Sequence, residues 1–195
     1  MQSSPPKFQA LAGCVAVLFA AILLALPASS ALAADFDVRT ASMGFTDGAW
    51  RLTARIDYHL TDKALAALDN GVALTIRVEL EADRVRRWLP NTEVLAVHRD
   101  WQLSYEPLTK RYIVAYPDGG AATSHGTLFG ALNALGRVQG LAVAEAGALV
   151  AGETYVVSVR AVLDQQRLPG PLQVLAFWDS GFSLESDWYE WTMSP

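Results

Sequence analysis

The stretch that decides the fold class is WRLTARIDYHL, at positions 50–60. Apolar and polar residues alternate along it with a period of two, which is the period of a strand with one buried face. The polar side chains between Arg51 and His59 are predicted to face water. The side chains predicted to face the core are Trp50, Leu52, Ala54, Ile56, Tyr58 and Leu60.

The same alternation recurs along the chain and predicts an all-β protein. Asp47-Gly48, ahead of this stretch, is a favoured two-residue hairpin turn. The segments predicted to be strands are 36–43, 50–60, 72–80, 97–105, 112–116, 155–163, 172–178 and 182–191. About eight short strands with one-sided alternation predict an antiparallel β-sandwich with an immunoglobulin-like Greek key. Its core is predicted to include Trp50, Leu52, Ile56, Leu74, Ile76, Trp101, Leu103, Tyr155, Val157 and Val159.

Two short helices are predicted on the rim of the sandwich. The first begins at a Thr61 or Asp62 cap and ends at Asn70-Gly71. The second begins after a Thr127 cap and ends at Gly136, while Thr123 and Ser124 ahead of it are predicted to form a turn.

The amino terminus has the features of an export signal. Lys7 is followed by an apolar run of 17 residues at 10–26, then by Pro27 and the small residues of Ala31-Leu32-Ala33. We therefore predict a signal peptide at 1–33, a single domain at 34–195, and a periplasmic or secreted protein. The alternatives are an uncleaved anchor and lipidation at Cys14, which is disfavoured because most of the apolar run follows the cysteine.

Composition excludes several classes of protein. The chain has 15 basic and 20 acidic residues and a net charge of -5, which argues against nucleic-acid binding. Its one cysteine excludes an intramolecular disulfide and a cysteine zinc cluster. No apolar run after residue 33 approaches membrane length, so that part is predicted not to span a membrane.

No catalytic or cofactor motif is present. His59, His98 and His125 are far apart and form no metal-ligand pair, so we predict no metal role for them. Ser124 and His125 are adjacent, which rarely gives the geometry of a nucleophile and its base. The sequence has no G-x-S-x-G elbow, P-loop or G-x-G-x-x-G, and we predict no cofactor and no enzyme activity.

The alternative reading is a hydrolase acting on a carbohydrate. Its acidic groups would be Asp179, Glu185, Asp187 and Glu190, with Trp178, Trp188 and Trp191 to stack on sugar rings. Glycosidase chemistry needs two such carboxylates on either side of one cleft. The simpler interpretation is the ordinary in/out alternation of a strand.

The concentrated basic segment is residues 84–88, which we call the arginine loop. Its predicted partner-binding residues are Arg84, Arg86, Arg87 and Trp88. Arginine and tryptophan are frequent at interface hot spots, and such a loop suits an acidic protein face or anionic lipid headgroups. The alternative is internal pairing of the arginines, for instance with the acidic C-terminal segment.

Five segments resemble one bacterial family. They are LDNGVALTIRVEL at 68–80, YEPLTKRYIV at 105–114, TLFGALNALG at 127–136, LDQQRLPGPL at 163–172 and SDWYEW at 186–191. Together they resemble the domain-of-unknown-function family 4390, also labelled a proline-rich signal peptide protein. The resemblance implies an exported proteobacterial protein with no assigned activity, often encoded beside a membrane sensor histidine kinase and its response regulator. An inner-membrane protein such as that kinase is therefore the partner the resemblance suggests.

The chain departs from the commoner family pattern at two positions. Gly130 stands where a charged helix former is usual, and Leu89 follows a single Trp88 where some members have a run of tryptophans. Both departures concern packing.

Overall fold

The computed structural model describes residues 35–116, 121–173 and 180–195. By their contacts the residues divide into two units, Met1–Ala33 and Ala34–Pro195, and all the described residues belong to the second. The predicted signal peptide, Trp178 and Asp179 lie outside the described residues.

The described residues form nine strands in two antiparallel sheets. The strands are β1 (Phe36–Thr46), β2 (Ala49–Tyr58), β3 (Leu74–Arg84), β4 (Thr92–Glu106), β5 (Arg111–Ala115), β6 (Thr123–His125), β7 (Arg137–Glu145), β8 (Tyr155–Leu163) and β9 (Tyr189–Met193). One sheet has the order β1-β2-β7, and the other has the order β6-β5-β4-β3-β8-β9. The predicted all-β sandwich is confirmed. The predicted immunoglobulin-like Greek key is not confirmed. The two sheets hold three and six strands, which differs from the way immunoglobulin domains divide their strands between two sheets.

Two α-helices form where the sequence predicts them. Helix α1 spans Asp62–Asp69, and the Thr61 hydroxyl oxygen accepts a bond of 3.1 Å from the Ala64 amide as its N-cap. Helix α2 spans Leu128–Leu135, and Thr127 caps it in the same way through the Gly130 amide. Such caps satisfy amides that have no partner inside the helix. Neither α1 nor α2, nor any other helix in the described ranges, has the length and apolar character needed to cross a membrane.

The turn between β1 and β2 is the predicted two-residue hairpin. Asp47 and Gly48 have φ angles of 52° and 75°, and Thr46 pairs with Ala49 across them. Positive φ at both central residues defines the turn type whose twist matches that of the flanking strands. Asp47-Gly48 therefore sets the register of the first strand pair.

The core lies between the two sheets and follows the predicted alternation. All ten side chains predicted for it are buried. Along β3 the even-numbered residues from Leu74 to Ala82 face the core, while Arg77, Glu79 and Glu81 face outward. Alternation therefore identified the buried face correctly on the central strands.

Four segments differ from the prediction. In the predicted strand 182–191, residues 182–188 form no strand apart from a single bridge between Glu185 and Val162, and β9 begins only at Tyr189. Strands β6 and β7 were not expected, and β6 contains the Thr123 and Ser124 that were predicted to form a turn. Residues 170–173 are helical rather than extended, since the Pro169 carbonyl accepts bonds from the Leu172 and Gln173 amides. A proline at the start of a helical turn is favourable because it needs no amide partner. The remainder of the predicted strand 172–178 lies outside the described residues.

An ion-pair cluster covers the outer face of the six-stranded sheet. Arg77 bonds to Asp100 and to Asp164, each at 2.8 Å, and Arg167 lies 3.1 Å from Asp100. The Arg77 guanidinium is the main cause that lowers the pKa of the Asp100 carboxyl below its ordinary value of 3.8. The cluster thus ties β3, β4 and the end of β8 together through Arg77, Asp100 and Asp164, which are largely shielded from water, whereas Arg167 is exposed.

Because its pKa is lowered in the folded state, Asp100 contributes stability that is present above 3.8 and is lost as pH falls through the folded-state pKa. Asp100→Asn should reduce the free energy of unfolding by about 2 kcal/mol at neutral pH. The difference in the free energy of unfolding between the variant and the unmodified protein should shrink in acid. Urea unfolding at neutral pH and at acidic pH measures it. A difference that stays constant across this range would contradict the assignment.

Candidate functional site

The arginine loop lies at the connection between β3 and β4. The β3–β4 ladder ends with the pair Arg84 and Thr92, so residues 85–91 are free of it. Arg84 sits half-buried at the strand end, whereas Arg86, Arg87 and Trp88 are exposed. Trp88 is 85% exposed, which places almost the whole indole in solvent. The four residues predicted to bind a partner are therefore brought together on one hairpin.

Two contacts organise this hairpin. The Val85 amide donates to the Thr154 carbonyl at 2.8 Å, which ties the base of the loop to the segment that precedes β8. The Arg87 guanidinium lies 5.4 Å from the centre of the Trp88 ring, within the range of a cation–π interaction. The tip thus presents a positive charge on an aromatic face.

The arginines of the loop have no internal ion pair among the described residues. The salt bridges between two described residues involve Arg39, Arg51, Arg55, Arg77, Arg160 and Arg167, and none involves Arg84, Arg86 or Arg87. Glu185, from the acidic C-terminal segment, lies 3.8 Å from Arg160 instead. Residues 180–195 therefore form no ion pair with Arg84, Arg86 or Arg87.

The carboxylates of the hydrolase interpretation lie in separate surroundings. Glu185 is exposed beside Arg160, and Glu190 pairs in the β8–β9 ladder with Ser158. Asp187 lines a cavity of about 400 Å³ with Asp35 and Asp37, and neither Glu185 nor Glu190 lines it. The described part of the predicted set therefore does not place two carboxylates across one cleft.

The C-terminal tryptophans are also engaged within the protein. The Arg160 guanidinium lies 4.6 Å from the centre of the Trp188 ring, and so covers one face of it. Trp191 packs against the core and lies 6.1 Å from Tyr189. Trp191 is thus engaged with the core, whereas Trp188, covered on one face, lines the same cavity as Asp187.

His98 lies in β4 and His125 in β6, whereas His59 directly follows β2. His59 and His98 are exposed, and His125 Nε2 lies 3.0 Å from the Thr123 hydroxyl. Across residues 35–116, 121–173 and 180–195, no three His, Cys, Asp or Glu side chains are grouped as metal ligands.

Sequence reasoning missed two surfaces. Leu89 and Val85, beside Trp88, are exposed, as is Val150 in the segment before β8. Two adjacent apolar residues in a basic segment, Trp88 and Leu89, could have indicated the first surface from sequence. Nothing in the sequence around Val150 indicated that it belongs to the same surface. A groove of about 590 Å³ lies between the end of β2 and helices α1 and α2, next to Phe129, which is 78% exposed.

The comparison with known families settles the resemblance. The family described as Domain of unknown function (DUF4390) matches residues 33–192, which include all five resembling segments. The chain belongs to this family. Searches of the curated proteins and of the solved structures found no match to this chain.

Gly130 and Leu89, the two positions singled out from the resemblance, differ in their structural setting. A side chain at Gly130 would place its Cβ 3.2 Å from the Thr127 hydroxyl that caps α2. Glycine at this position therefore leaves room for the cap, at some cost in helix propensity. Leu89 is 61% exposed, so its apolar surface joins that of Trp88 rather than the core.

Proposed function

We propose that this protein is a periplasmic, non-enzymatic accessory module that binds an acidic surface through its arginine loop. The observation that carries the proposal is the exposed set of Arg86, Arg87 and Trp88, whose guanidinium groups form no ion pair with any described residue. Export is supported by the charged, apolar and small-residue segments that follow one another over residues 1–33.

The charge distribution supports a directed encounter. After residue 33 the chain has 14 basic and 20 acidic residues, so a positive tip projects from a negative body. Such a molecule is steered tip-first toward an acidic surface, and salt weakens the attraction. The family resemblance suggests an inner-membrane protein such as a sensor histidine kinase as the binding partner. A net negative body does not suit nucleic acid.

A role without catalysis is supported by the positions of the acidic residues. Glu185 and Glu190 lie away from the cavity that Asp187 shares with Asp35 and Asp37, so the acidic residues of the hydrolase interpretation do not form a pair among themselves. Arginine and tryptophan on an exposed hairpin are instead the residue types of a recognition surface.

Changing Arg84, Arg86 and Arg87 together to serine should leave the fold intact and weaken the binding partner's capture by about tenfold or more at low salt. The measurement is the amount of sensor histidine kinase retained from native membranes by the immobilised protein. Lys110, Arg111 and Arg137, at the other end of the strands, give a control with the same change in charge.

Equal capture by the two triple variants would contradict the proposal. A hydrolytic activity that Glu185→Gln or Asp187→Asn abolishes would replace it with the enzyme interpretation. Thermal unfolding of each variant establishes that its fold is retained.

A further inference from the structure

Two loops lie side by side at one end of the sandwich. They are residues 85–91, which join β3 to β4, and residues 146–152, which lie between β7 and β8. The Val85 amide donates to the Thr154 carbonyl at 2.8 Å, and Arg84 pairs with Tyr155 at the start of β8. The Val150 amide in turn donates to the Tyr155 hydroxyl at 2.9 Å. We call residues 85–91 and 146–152 together the loop end.

The loop end combines exposed apolar side chains with positive charge. Trp88, Leu89 and Val150 are 85%, 61% and 54% exposed, and Val85 is also exposed. Arg86 and Arg87 lie among them, and neither segment contains an aspartate or a glutamate. An exposed apolar surface on an otherwise charged protein usually marks an interaction site.

The acidic side chains nearest in sequence lie at the bases of the two loops. Asp83 pairs with Glu93 across the β3–β4 ladder, Glu145 is the last residue of β7, and Glu153 follows the second loop. On the neighbouring β1–β2 turn, Asp47 lies 3.8 Å from Arg51. Together the two loops therefore carry arginine but no carboxylate, whereas acidic side chains lie at their bases and on the neighbouring turn.

We infer that the loop end docks on an anionic phospholipid bilayer. The inference rests on the proposed function and deepens it. The arginine loop is the contact in both, and here the acidic surface that it binds is a layer of lipid headgroups. The apolar side chains project from separate loops, and a fluid bilayer accommodates such projections without a matching groove. Tryptophan prefers the interface between headgroups and acyl chains, and each arginine near the surface adds attraction to anionic lipid.

This geometry fixes the orientation of the bound protein. Trp88 and Leu89 enter the interfacial layer, while Arg86 and Arg87 extend their charged groups to the phosphates. The strands run away from the membrane, so the acidic body and helices α1 and α2 face the aqueous side.

The test is sedimentation of residues 34–195 with phospholipid vesicles. This unit has its own core, since the buried apolar cluster of the described residues lies between Phe36 and Leu184. It should bind vesicles of equal parts phosphatidylcholine and phosphatidylglycerol, and binding should fall with salt and with removal of phosphatidylglycerol.

Two variants locate the contact. Arg86→Ser with Arg87→Ser should reduce vesicle binding by about 25-fold, at about fivefold per arginine. Trp88→Ala should reduce it by about tenfold. The matched controls lie at the other end: Lys110→Ser with Arg137→Ser for charge, and Phe129→Ala for an exposed aromatic ring. These controls should bind as the unmodified protein does.

No binding to the anionic vesicles, or equal loss in the matched controls, would overturn the inference. If vesicles are not bound but the arginine loop is still needed to capture the sensor histidine kinase, the acidic surface is protein and the proposed function stands. If the loop is needed for neither, both proposals fail.

Discussion

Trp101→Ala should lower the free energy of unfolding by about 3–5 kcal/mol. Trp101 is 5% exposed and faces Ile76 across the β3–β4 ladder, at the centre of the six-stranded sheet. Removing the indole deletes buried apolar surface and leaves a cavity that a rigid sheet cannot close. Urea unfolding, followed by circular dichroism, measures the change.

Trp88→Ala is the matched control, because it removes the same side chain from a site that is 85% exposed. Its effect on stability should stay within about 0.5 kcal/mol. A loss below about 1 kcal/mol for Trp101→Ala would contradict the burial of this residue.

Gly136→Ala should destabilise the protein by about 3 kcal/mol, a large effect for one added methyl group. A Cβ at Gly136 would lie 2.0 Å from the carbonyl oxygen of Ile56, which is backbone and cannot rotate away. The approach is close because the Ile56 amide donates to the Gly136 carbonyl at 2.9 Å, where α2 ends and β7 begins. Accommodation would require β2 and the α2–β7 junction to separate. Thermal and urea unfolding both report this loss.

Gly126 provides the comparison, because a Cβ there meets nothing within 4 Å. Gly126→Ala should change the stability by no more than about 0.5 kcal/mol. Equal stability of the two alanine variants would show that the close approach at Gly136 is relieved without cost.

The strands that sequence predicted well are those with unbroken alternation. β2, β3 and β8 each bury every second residue over most of their length, so period alone identified their core face. β7 was missed because its alternation is interrupted. Gly140 has a φ of 61°, and the register between β2 and β7 shifts along the strand. Its buried residues Val138 and Val143 are five positions apart, which breaks a period of two. β6 has three residues, too few to show a period.

The candidate site was predictable in part. Three arginines and a tryptophan close together in sequence identified the arginine loop, and the structure brings them onto one hairpin. The second loop of the loop end was not predictable. Val150 reaches this end only because β8 pairs with β3, and alternation predicts the faces of two strands but not that they are neighbours.

The position of β3 in its sheet has a consequence for the rate of folding. β3 pairs with β4, which follows it directly, and with β8, which brings Arg77 and Asp164 together across 87 positions of the chain. The centre of the sheet therefore closes only after a long intervening segment has been ordered, and such topologies fold over milliseconds to seconds. Until β8 is available, β3 keeps one open edge, so a chain truncated before residue 155 should aggregate rather than fold.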